Sequence, residues 1–407
     1  MNNSPTVAES SAGPVLIGFA DAVAAPEVAW SLVEAGFKVI AFSRRGKSCG
    51  LRWSRFVKMI EVTSPEQDLS ACMTELQQLI TELQPCTFFA LDDHALWIAA
   101  EIGRQDPALT LACGSEGNAD FALDKRRQIR AAQEAGILVP SSVFVSQRAE
   151  IQVDRIIFPI IFKPALAARV TNGKLGRGGA YFCNDIEELE RAFDLWQETE
   201  PMILQQIVHG TGHGVFGLVD HGKVLGLVGH ERVRMMNPHG SGSSACRSAD
   251  VDPDLADRIH RMLTGIGWRG LFMVEMLRDD QGNSWFMEVN GRPWGSLALA
   301  RRCGFEFPAW SVQQALGLPL SPASPKFIRH RLCRHLGREF IHVLMVIKGP
   351  KSAAVKDWPS VGKTLLNFLT WSPSQSWYNF NIRDPLVFFA DAGHTVLSQV
   401  MQRRRNR

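Results

Sequence analysis

The chain has 407 residues, with 44 Lys and Arg against 41 Asp and Glu, for a formal charge of +3. That length allows two or three domains, and so small a net charge gives no reason to expect a nucleic-acid partner. The apolar and charged shares, 45% and 21%, are those of an ordinary soluble protein, and the longest apolar runs fall far short of a membrane span. The 8 cysteines are scattered without a C-x-x-C pair, the pattern of reduced, packed thiols. No basic region followed by an apolar core stands at the N-terminus, so no secretory signal is read and the expected compartment is the cytoplasm.

Residues 1–12 are polar and expected to be disordered. From 13 to 119, strand patterns at Val15–Ala20, Lys38–Phe42, Val57–Val62 and Thr87–Leu91 alternate with helical patterns at Pro26–Ala35, Leu69–Leu83 and His94–Ile102. This alternation predicts a parallel α/β unit. The turn after the first strand, Gly18 to Val23, lacks G-x-G-x-x-G, which argues against a dinucleotide site. Asp92 and Asp93 stand at the carboxyl end of a strand, where open α/β sheets place ligands; a helix N-cap is the structural alternative for one of them.

A second region covers 120–318. Asp124 caps a helix carrying Lys125, closed by Gly136. Lys163 sits in the apolar strand Phe158–Pro164, in flanks too apolar for an edge lysine, and reads as a phosphate ligand. The stretch Asn172 to Gly179 follows, with Gly173, Lys174, Gly176, Arg177 and Gly178. Its glycines let backbone N–H groups approach an anion, but no G-K-[ST] ends it, so it is not a Walker A loop. Next come a strand from Met202 to Val208, a turn from Gly210 to Gly214, and a hairpin of Val215–Val219 with Lys223–His230. Ser241 to Ser244 reads as a flexible loop, and Asp252 caps a helix ending before Gly267.

The most informative stretch is Gly270 to Ser296. Two apolar runs flank the turn-rich Asp279–Asn283, which predicts a β-hairpin. A turn centred between Gln281 and Gly282 sets Glu275 opposite Glu288. Alternation of side chains then puts Glu275, Glu288 and Asn290 on one face, with Val274, Met276, Met287 and Val289 on the other. Two opposed carboxylates in an apolar hairpin repel, and a magnesium ion, which prefers oxygen ligands, would offset that repulsion. Arg292 follows, placed to meet a phosphate as a planar fork.

The region from Asp120 to Leu318 resembles the ATP-grasp superfamily, and within it the carboxylate–amine ligases. The resemblance rests on Asp124-Lys125, Phe162-Lys163-Pro164, the glycine-rich loop, Gln205 to Val208 with Gly210, and Glu275 with the run Glu288 to Ser296. It implies a pre-ATP-grasp, Rossmann-like α/β domain followed by two lobes that clamp ATP. Lys125 and Lys163 would bind phosphates, and the loop with Gly173, Lys174, Gly176 and Gly178 would close over them. Gln205, Gln206, Ile207 and Val208 would meet adenine. Glu275, Glu288 and Asn290 would hold Mg2+, with Mn2+ as a substitute, and Arg292 would face the transferred phosphoryl group. His213 stands where a ribose-binding carboxylate is common, and Gln206 where a glutamate is common.

The activity so implied is ligation of a small carboxylic acid and an amine, amino acids being the usual choice, through an acyl phosphate. A phosphotransferase or carboxyphosphate-forming enzyme, or a non-catalytic ATP sensor, would use the same core. Arg232, Arg234, Arg247 and the Ser241 to Ser244 loop are candidates to meet the acid substrate, with Arg247 or Arg234 preferred. Catalytic roles are expected for Arg292, Lys163 and Arg247. His230 reads as a base or a structural histidine, and Trp294 as a pocket wall or a core residue. Pro319 to Pro325 reads as a linker, and 319–407 as a helix-rich extension with helices at Arg338–Ile347, Val361–Leu369 and Leu386–Gln402. That extension is expected to cap the core or form a homodimer surface, and to end in a solvated basic tail from Arg403 to Arg407.

Overall fold

The computed structural model describes residues 13–114, 117–196, 198–238, 241–320, 329–350, 358–370 and 372–405, without the side chains of Ser241 and 400–405. The expected disorder of 1–12, the linker beyond Leu320 and the side chains of the basic tail lie outside the described residues.

The first unit contains β1 (Val15–Gly18), α1 (Ala25–Glu34), β2 (Val39–Arg44), β3 (Val57–Val62), α2 (Leu69–Leu83), β4 (Thr87–Ala90) and α3 (Asp93–Gln105). Its four strands are parallel in the order β3-β2-β1-β4. β1 is buried along its whole length, which is why its sequence is a continuous apolar run without alternation. Gly36, at φ +89°, closes α1 in a conformation that favours glycine. At the carboxyl ends of the strands Arg44 ties together Asp21 at 2.9 Å, Glu66 at 2.9 Å and Asp92 at 2.8 Å.

α4 (Asn118–Leu123) and α5 (Lys125–Glu134) lead into a small lobe. It contains β5 (Ser142–Val145), β6 (Ile160–Pro164), β7 (Arg169–Thr171), β8 (Lys174–Gly176), β9 (Tyr181–Cys183), α6 (Ile186–Trp196) and β10 (Met202–Gln206). The sheet order is β5-β10-β6-β9, and Phe162, Phe193 and Trp196 fill a separate core beneath α6. The glycine-rich stretch is the β7–β8 hairpin, turning at Asn172 (φ +51°) and Gly173 (φ +73°), a pair of positive φ values that suits a two-residue turn.

The large lobe contains β11 (Thr211–Asp220), β12 (Lys223–Asn237), β13 (Ser241–Ala249), α7 (Pro253–Gly265), β14 (Gly270–Arg278), β15 (Ser284–Asn290), α8 (Leu297–Arg302) and α9 (Phe307–Ala315). It continues with β16 (Leu332–Arg334), α10 (Leu336–Lys348), α11 (Val361–Leu369), β17 (Gln375–Trp377) and α12 (Pro385–Arg405). Its strands run β15-β14-β11-β12-β13-β16-β17. One continuous apolar core joins this sheet to the first unit.

The chain departs from the sequence reading in three places. Gly210 to Gly214 is not a turn, because β11 begins at Thr211. Its glycines make room: a Cβ on Gly212 would lie 2.6 Å from Arg232 Cδ, and one on Gly214 would lie 2.9 Å from His230 Nε2. Ser241 to Ser244 is part of β13 rather than a loop, paired with β12 through Ser241 and Ser243. The region after Leu318 has the expected helices, and it also adds β16 and β17 to the sheet. None of the helices among the described residues is long and apolar enough to cross a membrane.

Candidate functional site

Glu275 pairs with Glu288 across β14 and β15, as the spacing requires, though by a different route. The connection is a longer turn, in which the Asp279 carboxylate accepts hydrogen bonds from Gln281 N (3.0 Å), Asn283 N (2.8 Å) and Trp285 Nε1 (2.8 Å). Arg278 therefore pairs with Ser284, and a bulge between Glu275 and Met276 takes up one residue and restores the acid pair.

Glu275, Glu288, Asn290 and Arg292 line one cavity of about 230 Å3. A larger hollow of about 490 Å3, lined by Arg104, Pro107 and Gln314 among others, holds none of them; chemistry rather than size marks the site. Lys125 Nζ donates to Glu288, and Arg232 Nη2 donates to Glu275. The positive charge of Lys125 outweighs burial and holds Glu288 well below the usual carboxylate range. The opposed acids are thus balanced by cations of the protein itself, so their tolerance does not by itself demand a divalent ion.

The donor set still fits one. Glu275 and Glu288 offer carboxylate oxygens and Asn290 an amide oxygen, while Asn290 Nδ2 lies 3.4 Å from Glu288 Oε1. Two carboxylates and an amide oxygen match what Mg2+ commonly takes from a protein, the rest of its shell being water and phosphate.

Arg292 reaches the first unit, donating from Nε to Asp93 Oδ1 at 2.9 Å and from Nη2 to Asp93 Oδ2 at 3.2 Å. Burial would raise the Asp93 pKa, but Arg292 overrides this and holds the carboxyl below its ordinary value. Asp92 is the helix cap of the pair, accepting from Ala95 N at 2.8 Å. Asp92 thus takes the capping role, and Asp93 is held by Arg292.

Lys163 lies on β6 with Nζ 2.7 Å from Gln205 Oε1. Burial, with the charge of Lys125 adding to it, lowers its pKa to about 8. Gln205 Nε2 in turn donates to Ser142 Oγ at 2.8 Å, so the Gln205 side chain braces Lys163. Gln206 is exposed, its N–H bound to Ser141 O, while Ile207 and Val208 are half-buried just past β10. The β7–β8 hairpin rests on the first unit: Leu69 N donates to Gly173 O (2.9 Å) and Leu175 N to Pro65 O (2.8 Å). Lys174 and Arg177 are exposed on it, and the charge of Arg177 is felt at both Lys163 and Glu288. Gly176 has open space around it, whereas a Cβ on Gly178 would lie 2.7 Å from Pro164 Cγ.

Three expected site residues stand elsewhere. His213 pairs in register with Met276 and Glu231, not with Glu275, and faces the α7 side of the sheet beside Asp252 and Leu255. Arg247 shares that side, bonded to Glu231 at 2.6 Å. Arg234 is spent on Glu339, at 2.8 and 3.0 Å. Strand alternation decides the first two, and it depends on register between strands distant in sequence; Arg234 is drawn off by the Glu339 carboxylate on α10. His230 does line the cavity, its Nδ1 2.7 Å from Ser296 Oγ; burial, then Arg232, pushes its pKa down to about 3, which makes it a poor base. Trp294 serves both readings, 1% exposed against Phe216 while lining the cavity. Arg338 and Tyr378, both from the C-terminal region, also line it and were not among the sequence candidates.

A small lobe carrying Lys163 and a glycine hairpin is set against a large sheet that presents two acids, an amide and an arginine. The chain has the ATP-grasp fold, preceded by a parallel α/β unit and completed by a C-terminal region built into its sheet. Residues 198–333 match the family described as "ATP-grasp in the biosynthetic pathway with Ter operon". No curated protein matches the chain. Among solved structures it is similar to an L-amino acid ligase from Bacillus licheniformis, with 18% identity, a TM-score of 0.59 and 79% of each chain covered. It is also similar to a biotin carboxylase from Campylobacter jejuni (15% identity, TM-score 0.61, 79% of this chain and 74% of that one). The ADP complex of N5-carboxyaminoimidazole ribonucleotide synthetase is a third (13% identity, TM-score 0.60, 87% and 95% covered). Identities this low establish a shared fold.

Proposed function

We propose that the chain is an ATP-dependent carboxylate–amine ligase that forms an amide or peptide bond through an acyl phosphate and releases ADP and phosphate. The observation that carries this reading is the convergence of Glu275, Glu288, Asn290 and Arg292 on one cavity, with Lys125 bonded to Glu288. In-line phosphoryl transfer needs positioned charge more than covalent catalysis by the protein. Lys125 and Lys163 hold the phosphates of ATP, and the β7–β8 hairpin closes over them and excludes water from the acyl phosphate. Glu275, Glu288 and Asn290 would hold Mg2+, which would supply neutralisation of the phosphate charge. The substrate carboxylate oxygen attacks the γ-phosphorus and ADP leaves. An amine nitrogen then attacks the acyl carbon, Arg292 stabilises the tetrahedral oxyanion, and phosphate departs as the amide forms.

A screen for ADP release over pairs of amino acids and small acids tests this reading. Release that requires both partners, with an acyl hydroxamate formed when hydroxylamine replaces the amine, supports it. ADP release without a trappable acyl group points instead to the carboxyphosphate or phosphotransferase alternative, and no release from any pair contradicts enzymatic ligation.

A further inference from the structure

The cations around the cavity differ in one respect. Lys125 faces Glu288, Arg232 faces Glu275, Arg292 faces Asp93, and Arg234 and Arg334 both face Glu339. Arg338 lines the same cavity, yet among the described residues no carboxylate lies within ion-pair distance of it. Its Nη1 donates to the backbone carbonyl of Ser243 at 3.0 Å and would lie 3.7 Å from a Cβ placed on Gly295. Among the described residues the guanidinium thus has one backbone acceptor for its five N–H donors.

The position is fixed from behind. Arg338 lies in the first turn of α10, whose cap is the His335 imidazole, with Arg338 N 3.4 Å from Nδ1. His335 Nε2 is in turn 3.1 Å from Asp391 Oδ2 on α12, and Gly337 packs so closely that a Cβ there would lie 2.6 Å from Ala392 O. Burial, with Arg232 adding to it, lowers the Arg338 pKa. A desolvated cation in a cavity gains most from an anion supplied by a ligand. Arg292 is tied to Asp93 of the first unit, whereas Arg338 reaches Ser243 on β13, so the two cations are anchored to different elements around the cavity.

We propose that Arg338, held by the C-terminal region, binds a substrate carboxylate that takes no part in bond formation. This rests on the ligase reading of the same cavity. The shared chemistry is a spare carboxylate, which belongs either to the amine partner, as the α-carboxylate of an amino acid, or to the acid partner, as a second acid group. The 319–407 region is then a part of substrate recognition rather than a cover.

The test uses the full chain with MgATP, the twenty common α-amino acids, their C-terminal amides, and small mono- and dicarboxylic acids. For the best pair, Arg338→Met is expected to raise KM for one partner about 10–100-fold, a loss greater than that in kcat, with KM for ATP unmoved. The amide of that partner should lose a similar factor with the wild type and be indifferent to the substitution, and Arg338→Lys should recover part of the affinity. Whether the amine or the acid shows the effect assigns the source. Wild-type turnover with both KM values unmoved in Arg338→Met, or a best pair with no spare carboxylate, overturns the inference and leaves the ligase reading standing. If no pair releases ADP, thermal shifts with the same compounds and MgADP decide: the inference falls if none stabilises the wild type more than Arg338→Met.

Discussion

Arg292 and Asp93 lie 199 positions apart in sequence and meet in a two-point ion pair, Nε to Oδ1 at 2.9 Å and Nη2 to Oδ2 at 3.2 Å. The parallel unit therefore does more than support the lobes: one of its acids fixes the arginine proposed to face the reacting phosphoryl group. Asp93→Asn removes one charge and half of the fork. It is expected to cost about 1–3 kcal/mol of stability, below the range for a fully buried pair because both side chains are partly exposed. Turnover should fall more than tenfold, with KM for ATP changed less than threefold. Steady-state kinetics with a denaturation curve checks both parts.

Glu288 is the second residue to test. Glu288→Ala is expected to lower substrate-dependent ADP release by at least about a thousandfold while the circular dichroism spectrum stays native. It also leaves Lys125 without its partner, so the melting temperature should fall by a few degrees. Retained turnover in a folded variant would remove Glu288 from the site.

Lys163, proposed to hold phosphate, should make nucleotide binding depend on pH. With its pKa lowered to about 8 by burial and then by Lys125, the free protein carries a charged lysine below pH 8 and a neutral one above it. Phosphates stabilise the charged form, so ATP binding should take up a proton at pH 9 but not at pH 7, and affinity should weaken as pH rises through 8. Calorimetry in buffers of different ionisation enthalpy measures the proton. Lys163→Arg, which stays charged, should abolish the uptake.

The β7–β8 hairpin carries the fourth prediction. Gly173 has φ +73° and its carbonyl accepts from Leu69 N. A β-branched residue in that conformation is strained by about 1–3 kcal/mol. Gly173→Val should loosen the turn and let water reach the acyl phosphate. ATP hydrolysis in the absence of amine should rise severalfold relative to ligation, measured as the ratio of ADP to amide formed.

Much of this was legible in the chain because it depends on neighbours in sequence. Leu69–Leu83 and Val57–Val62 have the expected boundaries, since the periodicity and caps that define them are local. The Glu275–Glu288 pair was legible too, although the longer turn and the bulge are errors of opposite sign that cancel. What stayed hidden depends on packing. Gly212 and Gly214 read as turn residues, yet they clear space for Arg232 and His230 on a neighbouring strand. The displacement of His213 and Arg247 to the α7 side follows from a register set between strands, and only the fold shows that Arg234 has a carboxylate while Arg338, among the described residues, has none.

The most direct measurement follows oxygen. With the acid partner labelled with 18O in its carboxylate, an acyl-phosphate ligase must pass one labelled oxygen to the released phosphate, because that oxygen bridges carbon and phosphorus before the amine displaces it. Mass spectrometry of the phosphate is predicted to show one 18O atom per amide formed. Unlabelled phosphate accompanying amide formation would contradict activation of the acid by ATP in this site.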